Sequence, residues 1–168
     1  ARESEEAAKR EAEEKARAEE RERRRAEIEA KEREEREHQE LMRLAGMDDR
    51  IVIIDQFLSR QDMLALLDCA DVFVSLHRSE GFGRVVAECM LLGKPVISTN
   101  YSGSVDFAHE GTAYVVDGPL IELKKGDYSE WEGQHWMDPD IGLAADAMRR
   151  CLDDQAGTAA MAARGKKI

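Results

Sequence analysis

Residues 2–45 contain neither glycine nor proline, so nothing in that stretch is built to turn the chain or to break a helix. Over the 168 residues there are only three prolines and three cysteines, and Phe, Trp and Tyr together make up 5%. Cys69, Cys89 and Cys151 are odd in number and lack metal-ligand spacing, which argues against a disulfide scaffold or a zinc site. Each lies in an apolar helical context, and all three are expected to be reduced core thiols of a cytoplasmic protein. No apolar run approaches the roughly 18 residues of a membrane span, and none fits a signal peptide. Positive charge is also short: 25 Lys and Arg stand against 36 Asp and Glu, a net charge of −11. Nucleic acid is therefore not an expected partner, because phosphate neutralisation needs a basic surface. Ala1 in place of an initiator Met is what a fragment boundary would show.

Charge itself is abundant and unevenly placed. Residues 1–40 hold 12 Lys and Arg and 16 Asp and Glu, leaving 13 and 20 for the other 128 residues. Glu precedes a base by four positions at Glu5–Lys9, Glu6–Arg10, Glu11–Lys15, Glu13–Arg17, Glu19–Arg23, Glu20–Arg24, Glu27–Lys31, Glu29–Arg33 and Glu32–Arg36. Each such pair stabilises a helix by roughly 0.2–0.5 kcal/mol, so nine in one segment predict a long helix. A coiled-coil seam would need a large apolar residue every 3.5 positions, and before Leu41 only Ile28 qualifies. The expected form is a single solvated rod of roughly 65 Å. Leu41, Met42, Leu44 and Ala45 mark where it should meet a core, and Gly46 is a suitable stop.

Beyond Gly46 the pattern alternates between strand and helix. Strands are predicted at Arg50–Ile54, Asp71–Leu76, Val96–Ser98 and Ala113–Val116. Ser59 and Asp62 form a capping-box-like start for a helix over Arg60–Cys69. Further helices are expected over Gly83–Leu92, Ser104–His109 and Ile141–Asp153, with Leu120–Met137 irregular. Alternation of this kind indicates an α/β fold: a partial Rossmann-like parallel sheet of about four strands, preceded by the charged single helix. The expected organisation is a rod over 1–46, a globular unit over 47–153 and a frayed tail over 154–168.

Chemistry concentrates in SEGFGRVVAE, Ser79–Glu88. It begins where a buried strand ends, the place where open α/β sheets bind ligands. Gly81 and Gly83 leave the turn bare, and the helix after them directs unpaired N–H groups and a positive dipole end outward, an arrangement suited to phosphate. Glu80 lies in the turn and Glu88 about one and a half helical turns further on. Each carboxylate has two acceptor oxygens suited to a sugar's vicinal diol. A phosphate platform between two diol readers matches a nucleoside diphosphate sugar, provided both carboxylates face one crevice and neither is buried against a structural cation.

The pair Glu80 and Glu88 resembles the paired-glutamate motif of family-four retaining glycosyltransferases, which have the GT-B fold. The run DCADVFVSLHRSEGFGRVVAECMLLGKPVISTNYSG, Asp68–Gly103, is similar to that family's sequence through its site. Ser102–Met148, including GDYSEWEGQHWMDPD, looks like the subset that builds bacterial surface polysaccharides. The resemblance covers about Met47–Asp153 and implies the C-terminal, donor-binding half of the fold. It implies that Glu80 is catalytic, beside the donor sugar, that Gly81, Phe82 and Gly83 offer backbone N–H groups, and that Glu88 holds the ribose. The loop around Phe57–Ser59 would lie near the base. Arg84 is the one nearby cation the sequence offers the phosphates. No metal or other cofactor is implied; the partners would be a nucleotide-sugar donor and a glycan acceptor.

One departure matters. In the family an Arg and a Lys upstream meet the diphosphate, and an acceptor domain precedes them; here the charged helix stands in both places. Charge neutralisation of that kind contributes several kcal/mol, so the isolated chain is not expected to turn over. Two other readings stand beside this one: a non-catalytic interaction module, or an engineered fragment, displayed on a helical rod. Bland readings accompany several residues. His77 and Arg78 line the crevice or belong to an ordinary loop. Gly103 and Ser104 present donor-facing amides or form a plain turn. His109 and His135 lack partners at metal spacing, and Trp131 and Trp136 are expected to anchor an irregular loop.

Overall fold

A computed structural model describes residues 2–167, with side chains for residue 10 and residues 13–167. The chain forms two compact units, residues 1–56 and 57–168. In the first, α1 (Arg2–Ala45) is the predicted rod. Glu20–Arg24 and Glu32–Arg36 pair as expected, while Arg23 turns to Glu27 instead of Glu19. The pairs Glu5–Lys9, Glu6–Arg10 and Glu11–Lys15 fall outside the described side chains. At the helix end Leu41, Met42 and Leu44 are exposed and Ala45 is buried.

Arg50–Ile54 is not a strand. The Asp48 carboxylate accepts from the Arg50 amide (3.0 Å) and binds its guanidinium (2.6 and 2.9 Å), closing a local turn where the strand should begin. Ile51, Val52 and Ile54 are exposed. An apolar run becomes a strand only when a neighbour completes its ladder and covers its faces.

The second unit opens with α2 (Arg60–Cys69), whose cap is the predicted one: the Ser59 hydroxyl accepts from the Asp62 amide. Then follow β1 (Phe73–Ser75), α3 (Arg84–Leu92), β2 (Val96–Thr99), a 3₁₀ turn over Ser102–Asp106 and β3 (Tyr114–Val116). The three strands are parallel in the order β1-β2-β3, so the sheet has three strands where about four were expected. The 3₁₀ turn replaces the helix predicted over Ser104–His109.

Next come β4 (Leu120–Glu122) and β5 (His135–Met137), an antiparallel pair inside the stretch expected to be irregular. Three-residue strands are too short to show alternation. Helix α4 (Ile141–Asp153) starts as predicted, with the Asp140 carboxylate accepting from the Leu143 amide. The predicted frayed tail is instead α5 (Gln155–Gly165), capped by Asp154 and burying Thr158, Met161, Ala162 and Gly165. Its small residues permit close packing: a Cβ on Gly165 would lie 2.8 Å from the Thr112 carbonyl oxygen. The Thr158 hydroxyl shares a buried 2.8 Å hydrogen bond with Tyr114.

Successive β2 residues serve opposite faces. Val96 joins Val86, Cys89 and Met90 of α3, whereas Ile97 joins Ala144, Ala147 and Cys151 of α4 and Met161 of α5. The sheet is thus covered on both sides, as its continuous apolar strands require. Cys89 and Cys151 are core thiols; Cys69, at the end of α2, is exposed and corrects that expectation.

Candidate functional site

The Ser79–Gly83 turn leaves the sheet after β1 and enters α3 at Gly83. Gly83 takes φ +80°, a left-handed conformation costly for a residue with a side chain, and no side chain caps the helix. Space is limited as well, since a Cβ there would lie 3.1 Å from that of Ser104. The first-turn amides of α3 therefore lack the side-chain acceptor that Ser59 and Asp140 supply to α2 and α4.

Glu80 is clamped through its backbone. Its N–H donates to the Ser102 hydroxyl (2.8 Å), and its carbonyl accepts from the Gly103 N–H (3.0 Å). Ser102 carries φ +65°, a strained value for a non-glycine residue, and its hydroxyl in turn donates to the Tyr101 carbonyl (2.7 Å). Gly103 cannot be enlarged: a Cβ would lie 2.0 Å from the Gly81 carbonyl oxygen. Its amide is thus used to hold the Glu80 turn. Ser104 is buried and does not act alone, because its hydroxyl meets His77 Nε2 (3.2 Å) while Ser75 meets Nδ1 (3.1 Å). His77 is a strut between β1 and the 3₁₀ turn.

Glu88 lies well inside α3, with its side chain only 13% exposed. One oxygen, Oε1, accepts from the Arg60 guanidinium at 2.9 Å. Arg60 itself is 68% exposed, so this is a surface ion pair of about 1 kcal/mol or less, and not a buried structural one. Next to Glu88, burial pushes the Cys89 thiol up to about 11; the Glu88 charge adds to this and Lys94 opposes it. Arg84 is exposed, and no carboxylate pairs with it among the described residues.

A cleft of about 660 Å³ lies between the Arg78–Gly81 loop and the β4–β5 hairpin. Glu80 and Gly81 line it together with Arg78, Tyr128 and Trp136, while Phe82, Gly83, Arg84 and Glu88 do not. The expectation that both carboxylates line one crevice is therefore not met by this cleft: Glu80 lines it, whereas Glu88 lies on α3 against Arg60. Phe82 is 60% exposed, with its ring 5.1 Å from that of Phe107. Arg60, Ser102, Tyr128, Glu130 and Gln134 were not singled out by sequence, and His135 and Trp136 were read only as loop residues. The cap residue next to Arg60 was the only signal, and the hairpin left no periodic trace.

Comparison with known proteins gives these features a context. A family model described as glycosyl transferases group 1 matches residues 14–131. The match begins inside α1, well before the expected Met47, and ends before α4. The chain is 30% identical over 129 residues to the lipopolysaccharide core biosynthesis mannosyltransferase LpsB of Rhizobium meliloti, covering 77% of this chain and 31% of that protein. It thus spans about a third of the length of that relative. Among solved structures, HepE of Anabaena in complex with UDP and glucose matches with a TM-score of 0.55 at 24% identity, over 77% of this chain and 29% of that one. The C-terminal domain of the group 1 glycosyl transferase LpcC from Francisella tularensis matches with a TM-score of 0.55 at 19% identity, over 79% of this chain and 58% of that one. The fold is that of the GT-B neighbours.

Proposed function

We propose that this chain, which belongs to the glycosyl transferases group 1 family, is the donor-binding part of an enzyme that transfers a hexose, with retention, from a nucleoside diphosphate sugar to a glycan. The observation that carries the reading is the start of α3, a left-handed glycine with no side-chain cap, beside a backbone-clamped glutamate. Uncapped amides at a helix start attract anions through their N–H groups and the helix dipole. The diphosphate would rest there, with Arg84 as the adjoining cation. Glu80 would contact the donor sugar near its anomeric carbon, and Gly81, Phe82 and Gly83 would offer amides. Glu88 would hold the ribose diol through Oε2 while Arg60 keeps Oε1, so ion pair and ligand need not compete. HepE, whose structure carries UDP and glucose, supports the choice of ligand class.

Binding of this kind needs no metal in our reading, because the helix end and a guanidinium supply the positive charge. Transfer by the isolated chain is not expected. Among the described residues Arg84 is the cation we assign to the phosphates, and charge neutralisation by a further basic pair of the kind the resemblance implies would contribute several kcal/mol. Calorimetric titration with UDP and GDP tests the reading, in EDTA and in magnesium. One nucleotide should bind equally in both, Glu88→Ala should weaken it about tenfold and Arg60→Ala by less. No affinity for either nucleotide would sink the assignment.

A further inference from the structure

We propose that His77 is a positioning residue for the donor site: its ring holds the 3₁₀ turn whose Ser102 and Gly103 fix the backbone of Glu80. The proposal rests on the reading of Glu80 given above. The loop after β1 grips that turn twice. Glu80 does so through its backbone, its N–H donating to the Ser102 hydroxyl (2.8 Å) and its carbonyl accepting from the Gly103 N–H (3.0 Å). His77, three residues earlier in the chain, does so through its side chain, with Nε2 3.2 Å from the Ser104 hydroxyl. Between the two grips lies Ser102 at φ +65°, a conformation that persists only where its surroundings hold it. Release of either grip lets that residue relax and moves the acceptor of the Glu80 amide.

Both ring nitrogens are occupied, which sets the role. Ser75 meets Nδ1 at 3.1 Å, and Ser104 meets Nε2. The Ser104 hydroxyl is also 3.5 Å from the Tyr101 carbonyl, which can only accept. With Ser104 donating there, Nε2–H donates to Ser104 and Nδ1 accepts from Ser75, so each hydrogen in the series has an acceptor. A ring committed in this way has no nitrogen left for proton transfer; it positions and does not catalyse. Stability does not account for the network. Ser98, across the ladder from Ser75, is fully buried with its hydroxyl unpartnered. Apolar side chains at this level would cost less to bury, whereas linked polar ones fix a single arrangement. The same turn reaches the start of α3, where a Cβ on Gly83 would lie 3.1 Å from that of Ser104. A displaced turn is therefore felt at Glu80 and at Gly83 together.

The two ring contacts can be separated in the whole chain. His77→Gln keeps a donor at the reach of Nε2, His77→Asn keeps only the reach of Nδ1, and Ser104→Ala removes the partner hydroxyl while leaving the ring. Amide exchange at Glu80 and Gly103 is followed without ligand, with Val96 and Ile97 of β2 as the reference, and UDP-glucose and GDP-mannose are titrated by calorimetry. His77→Asn and Ser104→Ala should each speed exchange at Glu80 and Gly103 about tenfold, leave β2 unchanged and weaken the sugar nucleotide about tenfold; combined, they should do little more than either alone. His77→Gln should restore both readouts to within about threefold of the parent chain. Ser104→Ala, which deletes one oxygen, carries the test should His77→Asn unfold. Retention by His77→Asn with loss in His77→Gln would assign the ring to β1 alone and overturn the proposal, as would unchanged exchange at Glu80 and Gly103 in Ser104→Ala. If neither sugar nucleotide binds the parent chain, the donor reading falls, and the exchange pattern by itself upholds or overturns the part played by His77.

Discussion

From Glu13 to Leu44 every side chain of α1 is exposed, whereas each residue of β2 is buried. The rod is held by contacts one helical turn apart, such as Arg24–Glu20 and Arg36–Glu32, worth a few tenths of a kcal/mol each. The α/β unit is held by residues far apart in sequence, as Val96 on Val86 and Ile97 on Ala144 illustrate. Local pairing holds a helix together without burying its side chains. Tertiary packing makes loops that can be clamped, strained and aimed, and the cleft, the clamped glutamate and the uncapped helix start all lie in that unit.

Core truncation should separate the two regions most widely. Ile97→Ala removes a fully buried side chain and should cost about 2–5 kcal/mol in urea unfolding, whereas Ile28→Ala, at a position 57% exposed, should stay within about 0.5 kcal/mol. Equal effects would break the contrast.

The next effect is a pH dependence confined to the α/β unit. Burial raises the Cys89 thiol from 9.0 to about 11, so the folded state disfavours its thiolate. A raised folded value means that stability is complete below about pH 9 and is lost as the pH climbs through 11, by up to about 3 kcal/mol. Unfolding measured from pH 8 to 11 should show this loss, and Cys89→Ala should diminish it. Thiol labelling at neutral pH should reach exposed Cys69 well before Cys89.

Gly103→Ala should be smaller in stability, about 1–3 kcal/mol, because the clash with the Gly81 carbonyl moves only the Glu80 turn. Nucleotide-sugar binding should fall by more than that stability loss suggests, which calorimetry on the folded variant would read. The smallest effect belongs to the rod: 1 M salt should lower the helicity of α1 slightly by screening its ion pairs, and leave the α/β unit unchanged.

Much of this was legible in the sequence because its causes are local. Ser59 acts within a few residues of where it stands and marked α2 correctly, and the helices predicted over Gly83–Leu92 and Ile141–Asp153 match α3 and α4. The turn into α3 was legible because Gly83 takes the left-handed conformation that favours glycine. What escaped depends on partners elsewhere. Arg50–Ile54 reads as a strand by composition, yet stays irregular where the Asp48–Arg50 turn wins. The α5 segment reads as loose because it is small-residue-rich, but that smallness lets Gly165 approach Thr112. Arg60 met Glu88 across 28 residues of chain, a pairing no window could reveal.

The assignment turns on whether a nucleoside diphosphate settles over the start of α3. Amide resonances followed during addition of UDP and GDP read this directly. The account predicts concentration-dependent shifts running from Glu80 through Glu88, together with Arg60, for at least one of the two. Shifts limited to α1, or none at saturating nucleotide, would contradict it.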